Sequence, residues 1–333
     1  MGLGSFRALT GRRCALRACV ALALAATTGA ACAQAFPSRP IKIVPFGTVG
    51  GPIDAIARIY GEKLQQRWGQ PVVVEPRPGA SGIVAADYVA KAAPDGNTVF
   101  LTLPLTHINN AILNPKLPYD PVKDFEPLSQ LAHGAPALVG RADAPYSNLK
   151  EFVAYAKAHP GMNYGTWGNG SQAHLMGELL KRQAGLQITH VPYKSEAAAH
   201  SDMIGGNGVD FAWANPATAR VQSQAGRMKV LGIAGTERIA ALPGVPTFAE
   251  QGFKGFELDS WIGVFAPAKT PKDVVDKWVQ ALQDITRMPD VREKLLLFGF
   301  DPLGNGPQAF AASMKADTPR VAELIKAADV TFE

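Results

Sequence analysis

The chain is nearly without thiols: its three cysteines, Cys14, Cys19 and Cys32, all fall in the first 35 of 333 residues. Beyond that point disulfides, thiolate metal sites and cysteine nucleophiles are excluded. The apolar run Ala18 to Ala26 is less than half the ~20 residues that a membrane-spanning helix needs, so a permanent anchor is not expected. No segment reads G-x-x-x-x-G-K-[ST], and no G-x-G-x-x-G opens the first expected helix, which sets nucleotide binding aside. H-E-x-x-H is absent, and the six histidines, His107, His133, His159, His174, His190 and His200, are scattered. No metal site or cofactor is expected. Neither Ser81 nor Ser171 sits in G-x-S-x-G, and His174 follows Ser171 on the same expected helix, so a serine nucleophile has no support. There is no basic cluster, low-complexity segment or repeat of 20 to 50 residues, which removes nucleic acid as a partner and solenoids or propellers as folds.

What the N-terminus does contain is an export pattern. Arg7, Arg12, Arg13 and Arg17 precede the apolar run, and Ala31-Cys32-Ala33-Gln34-Ala35 offers small-residue cleavage sites after Ala33 or Ala35. Residues 1–35 are therefore expected to be a cleaved signal peptide. Lipid attachment at Cys32 is the competing reading, disfavoured because Gly29 stands where a large aliphatic residue belongs. Arg12-Arg13 hints at twin-arginine export, but the residues after the pair fit it poorly, and the general secretory route is preferred. The segment holds four arginines and no acid, so 29 of the 33 basic side chains remain against 28 acidic ones, a net charge of +1 for the mature chain. The remaining 298 residues, from a sequence that is 47% hydrophobic, suffice for one large or two ordinary domains of a globular monomer.

Short β-branched runs alternate with helical patterns. Ile41 to Val44, Val72 to Val74, Val99 to Leu103, Ala137 to Val139 and Met228 to Ile233 read as buried strands of largely parallel sheets, an α/β architecture. Between the first two, Ile56, Ile59, Tyr60, Leu64 and Trp68 recur at helical spacing, with Pro52 at the start and Gly69 as the stop. Further helix starts are expected at Ser171, at Asn215-Pro216 and at Thr270-Pro271-Lys272-Asp273, each with a capping side chain. Ala137 to Gly140 and Trp261 to Ala266 bracket a middle block with its own alternation. They are taken as two crossings, giving lobe 1 from residues 36–138 and 262–333 and lobe 2 from residues 139–261, an arrangement that permits hinge closure around a ligand.

Three glycine-rich segments stand where a strand hands over to a helix: Phe46 to Gly51, Arg77 to Gly82 and Gly165 to Ser171. Helix N-termini there present unpaired N–H groups, and such groups attract anions. Tight turns alone would explain any one loop. Three together, with Thr48, Ser81, Thr166, Asn169 and Ser171 interleaved, point to a site for a small acid held by loop donors, with Thr166 and Ser171 expected to donate their hydroxyls. Arg77, before Pro78, is read as a turn residue, and His174 as a structural one. Asp54 is assigned to its helix's first turn, since a carboxylate there would repel an acidic ligand.

With these segments in order, the chain resembles the Bug family of periplasmic solute-binding proteins, receptors of tripartite tricarboxylate transporters. The resemblance runs from Ser38-Arg39-Pro40-Ile41-Lys42-Ile43-Val44 to about Phe310. It includes GQPVVVEPRPGASG at Gly69 to Gly82, AKAAPDG at Ala90 to Gly96, LPYDPVKDF at Leu117 to Phe125, and NYG followed by GNGSQAH between Asn163 and His174. HVPYK at His190 to Lys194, ALPGVPTFAEQG at Ala241 to Gly252 and SWIGVFAPAKTP at Ser260 to Pro271 complete it. The resemblance implies a two-lobed Venus-flytrap α/β fold in the periplasm, a small carboxylated ligand in the cleft, no catalysis, and delivery to an integral-membrane permease. A sensor that presents its ligand to a signalling ectodomain is the other reading. Mapped by motif, the ligand-binding positions are Thr48, Val49, Gly50, Gly51, Ser81, Gly82, Thr102, Thr166, Trp167, Asn169, Ser171 and Asn215.

The departures from the family pattern bear on the ligand. Where the family's first loop usually reads V-V-P-F-P-P-G-G-x-T-D, the equal-length segment Val44 to Asp54 lacks the loop prolines and has Ile53 in place of the threonine. Ile83 replaces an asparagine, Trp167 a smaller residue, and Ala214 a common aspartate. Each change makes the cleft less polar or bulkier, which favours an aromatic or otherwise apolar acid over an aliphatic dicarboxylate, and weakens the case for an amine-bearing ligand. Trp167, Trp213 and Trp261, three of the five tryptophans, are expected near the cleft or hinge.

Overall fold

The structure, a computed structural model, describes residues 36–331; residues 1–35, with the expected export signal, its expected cleavage sites and the cysteines, lie outside the described residues. β1 (Ile41–Pro45) leads into α1 (Pro52–Trp68). Pro52 enters the first turn, where no N–H partner is needed. Ile53, Ile56, Ala57, Tyr60 and Leu64 form the buried face, and Gly69 ends the helix at φ +68°. β2 (Val72–Val74), α2 (Ile83–Ala90), β3 (Thr98–Thr102), α3 (Asn110–Leu113) and β4 (Phe125–Gly134) follow. The middle block holds β5 (Ala137–Arg141), α4 (Leu149–Ala158), β6 (Met162–Thr166), α5 (Gln172–Ala184) and β7 (Ile188–Pro192). It continues with α6 (Glu196–Gly205), β8 (Phe211–Ala214), α7 (Pro216–Gln224) and β9 (Met228–Ile233). The chain returns through β10 (Ser260–Pro267), α8 (Lys272–Arg287), α9 (Pro289–Leu297), β11 (Asp301–Asn305) and α10 (Pro307–Ala328).

These strands form two sheets, one per lobe. The first has the order β11-β4-β10-β3-β1-β2 and the second β7-β6-β8-β5-β9. Both are mixed rather than largely parallel. Parallel pairing occurs where a helix lies between successive strands, in β1 with β2 and β3 and in β6 with β7 and β8. β4, β5, β10 and β11 pair only antiparallel. β5 and β10 open the two passages into a new sheet, so no crossover helix returns them beside a parallel neighbour. The chain leaves the first sheet between Gly134 and Ala137 and comes back between Ile233 and Ser260.

Helix starts agree with the capping chemistry at Ser171, whose Oγ accepts from His174 N–H, and at Asn215, whose side chain accepts from Ala217 N–H. At α8 they do not. Pro271 occupies the cap, and the Thr270 hydroxyl donates instead to Pro267 O at 2.7 Å. α8 compensates with an apolar stripe of Val274, Val275, Trp278, Ala281, Leu282 and Ile285, all buried. Its large side chains contribute on the order of 1.5–3 kcal/mol each by leaving water. Among the described residues no helix is long and apolar enough to cross a membrane.

β10 carries the tightest backbone approach in the first lobe. A Cβ added to Gly263 would lie 2.2 Å from Phe310 Cζ and 3.0 Å from Trp261. Both neighbours are fully packed, so Gly263→Ala is expected to lower unfolding free energy by about 1–3 kcal/mol in denaturant titrations, through overpacking.

Candidate ligand-binding site

The parallel strands of both sheets deliver their carboxyl ends to one cavity of about 880 Å³. Five helices of eight or more residues, α1, α2, α5, α6 and α7, start at its wall. Each start leaves N–H groups without an intrahelical acceptor and carries the positive end of the helix dipole. The five are finished differently. Ser171, Ser195 and Asn215 cap α5, α6 and α7 with side-chain oxygens. Gly51 and Gly82 stand at the starts of α1 and α2 and offer no side-chain acceptor.

The first loop is braced from below. Asp54 is 3% exposed; it accepts from Gly50 N–H at 2.9 Å and from Arg58 at 3.0 and 3.1 Å. Its carboxylate therefore shapes the turn, as the sequence reading assigned it. Gly47 and Gly50 take φ of +97° and +79°, and Val49 at the tip is 72% exposed. In the second loop four successive residues, Gly79, Ala80, Ser81 and Gly82, have positive φ. For Ala80 and Ser81 this conformation costs roughly 1–2 kcal/mol each, strain of the kind stored at ligand sites. Asn110 donates to Ser81 O at 3.0 Å and holds the loop in place. A Cβ on Gly82 would lie 2.6 Å from Thr106 Cγ2, so only glycine lets α2 start there.

The third loop satisfies itself. The Ser171 hydroxyl donates to Gly168 O at 2.7 Å, and Gly170 N–H donates to His174 Nδ1 at 3.1 Å. Thr166 Oγ1 accepts from Gly168 N–H at 3.2 Å and lies 2.6 Å from His190 Nε2. His190 stacks on His174 with ring centres 3.9 Å apart. Burial, then the charges of His174 and Lys181, pushes His190 down to about 3, so it stays neutral and can accept the threonine proton. Asn109, from the first lobe, donates to Gly170 O at 2.9 Å, a hydrogen bond between the lobes.

Of the expected positions, Thr48, Val49, Gly50, Gly51, Ser81, Gly82, Trp167, Asn169, Ser171 and Asn215 line the cavity. Thr102 and Thr166 do not. Thr102 is fully buried with its hydroxyl 2.8 Å from that of Thr106, and Thr166 is 1% exposed. The hydroxyls expected as ligand donors are both occupied, that of Ser171 by Gly168 O in its own loop and that of Thr166 by His190 of β7. Of the tryptophans expected near the cleft or hinge, Trp167 lines the cavity, Trp261 stands in β10 just past the return passage with its ring buried on Phe265 and Phe310, and Trp213 is buried on Phe248. Arg77 stands over the Tyr88 ring at 3.6 Å and pairs with Glu75, away from the cavity.

Apart from Asp54, sequence reasoning missed the charged groups of the wall. Lys194 is its one cationic side chain and has no ion-pair partner among the described residues. In the sequence HVPYK stands only as a family signature, yet Lys194 lies two residues past the carboxyl end of β7, on the cavity side of the sheet. Glu196, Asp259 and Asp317 also line it. Glu196 accepts from Asn215 N–H at 2.9 Å, yet burial raises its pKa. Nothing in the local sequence separates these from ordinary surface acids; the tertiary fold brings them in.

A profile described as tripartite tricarboxylate transporter family receptor matches residues 56–330. Among solved structures, R. palustris Rpa4515 with adipate is 31% identical, with 89% of this chain and 99% of that one covered and a TM-score of 0.83. The periplasmic binding protein BugD is 33% identical over 90% of this chain and all of its own, with a TM-score of 0.81. MatC (Rpa3494) from Rhodopseudomonas palustris, solved with bound malate, is 33% identical over 87% of this chain and 100% of its own, with a TM-score of 0.79. Sequence match, lobe architecture and a cavity ringed by helix starts agree, and the chain belongs to the tripartite tricarboxylate transporter receptor family, the Bug-type periplasmic solute-binding proteins.

Proposed function

We propose that this receptor captures a small organic acid between its lobes and delivers it to the membrane permease of a tripartite tricarboxylate transporter. The carrying observation is the pair of helix starts, α1 and α2, that face the cavity behind glycine rather than behind a side-chain acceptor. A carboxylate there gains on the order of 1.5–3 kcal/mol per charge-assisted hydrogen bond and about 0.3–1 kcal/mol from each dipole. Relatives solved with adipate and malate support an acid as the ligand class. In this reading the starts of α1 and α2 hold the carboxylate, Thr48 to Gly51, Ser81 and Gly82 shape the wall around it, and Trp167, Asn169, Ser171 and Asn215 close over it. Thr102 and Thr166 support the loops from beneath. The lobes divide at Gly134–Pro136 and at the segment before Ser260.

Gly51→Asp tests the anchor. A carboxylate at this cap would satisfy the same N–H groups and repel the ligand. Calorimetry against a panel of organic acids should show at least a tenfold loss of affinity, about 1.4 kcal/mol. Stability should be kept or raised, because an aspartate cap favours the helix. Unchanged affinity would move the carboxylate elsewhere.

The apolar wall around Trp167 favours an aromatic or otherwise apolar acid. Ligand binding should change intrinsic fluorescence, and Trp167→Phe should remove most of that change. Trp167→Ala should cost an aromatic acid roughly 0.5–1.5 kcal/mol more than an aliphatic diacid of similar length. Equal losses would remove the aromatic preference and leave the carboxylate receptor standing.

The export pattern and the periplasmic family support a mature chain outside the cytoplasm. N-terminal sequencing of the exported protein should begin at Gln34 or Phe36. A lipid-modified Cys32 in the membrane fraction would overturn this.

A further inference from the structure

Both passages between the lobes meet at one carboxylate. The first passage is Gly134, Ala135 and Pro136; the second leaves β9 at Ile233 and enters β10 at Ser260. A Cβ added to Gly235 would lie 2.4 Å from Ala135 Cβ and 2.9 Å from Asp259 Oδ1, so the two passages touch there. Asp259 accepts from Thr236 N–H at 3.1 Å and from the Thr236 hydroxyl at 2.7 Å, tying the beginning of the second passage to its end. Its Oδ2 also lies 3.5 Å from Nδ1 of His133, the residue just before the first passage. Asp259, Ala135, Pro136 and Ser260 all line the cavity. A group on the ligand-facing wall thus holds both connections on which closure must turn.

We propose that Asp259 is a positioning residue for ligand capture, binding the two passages into a single hinge that the His133 imidazolium completes. The groups facing this pair are acidic. Asp301 of β11 is paired in register with His133, Glu237 follows Thr236, and Asp317 of α10 is near Asp259, with Arg320 the cation acting on Asp317. The hydrogen bond to Asp259, and then the charges of Asp259, Asp301 and Glu237, raise His133 above its ordinary 6.5 against the opposing effect of burial. Burial pushes Asp259 up, but His133 and Thr236 prevail and hold it below the usual carboxylate range. Because His133 is raised in the folded state, the charged tie is complete below the ordinary histidine value and is lost as pH rises through the raised one.

The mature chain's lack of cysteine makes the test clean. Exposed Gln66 in α1 and Lys157 in α4 are replaced as Gln66→Cys and Lys157→Cys, one per lobe, and carry nitroxide labels. Interlobe distances are then read by pulsed electron resonance without ligand. We expect one narrow distribution at pH 6 that broadens toward pH 9. Asp259→Asn should be broad at both, and His133→Gln should give the same distribution at both. A wild-type distribution indifferent to pH, or an Asp259→Asn distribution as narrow as wild type, would overturn the proposal. Should Asp259→Asn fail to fold, pH dependence persisting in His133→Gln would overturn it. No ligand enters the measurement, so its failure would leave the carboxylate reading untouched.

Discussion

Backbone N–H groups at a helix start must find an acceptor, and where a side chain does not supply one, water or a ligand has to. This constraint organises the binding face. Five helices point their starts into one cavity, and three are finished internally by Ser171, Ser195 and Asn215. α1 and α2 are not. The two lobes are therefore chemically unequal: the first starts its helices behind glycine, with no side-chain cap, and the second presents a preformed, self-satisfied wall.

That inequality explains where strain is kept. The second loop holds Ala80 and Ser81 in the left-handed region, so that Gly82 can start α2 hard against Thr106. Asn110 and the Thr102–Thr106 hydroxyl pair fix this arrangement from beneath. The second-lobe loop is instead relaxed by its own bonds, with neutral His190 and His174 stacked behind it. A site built this way needs no cofactor or catalytic side chain to hold an anion; it needs rigid loops whose donors stay in place. The hinge works on the same economy, since one carboxylate, Asp259, serves as cavity wall and as the tie between Thr236 and His133.

The sequence by itself determined the alternation of strands and helices, the start of α1 at Pro52 and its stop at Gly69, the caps at Ser171 and Asn215, and the glycine loops. All are local: a few residues fix the φ preference or the acceptor. Strands such as Met162–Thr166 and Asp301–Asn305 were not legible, because glycine, proline and polar residues interrupt their pattern and only pairing with neighbours makes them strands. Tertiary structure alone decided that both sheets are mixed, that Thr102 and Thr166 lie under the cavity, and that Trp213 and Trp261 are core residues. It also brought Lys194, Asp259 and Asp317 to the wall from three separate parts of the chain. The physical reason is range. Capping and turn chemistry act within about four residues, whereas which hydroxyl faces a ligand and which is consumed by a distant histidine depends on groups that meet only when the sheets have formed.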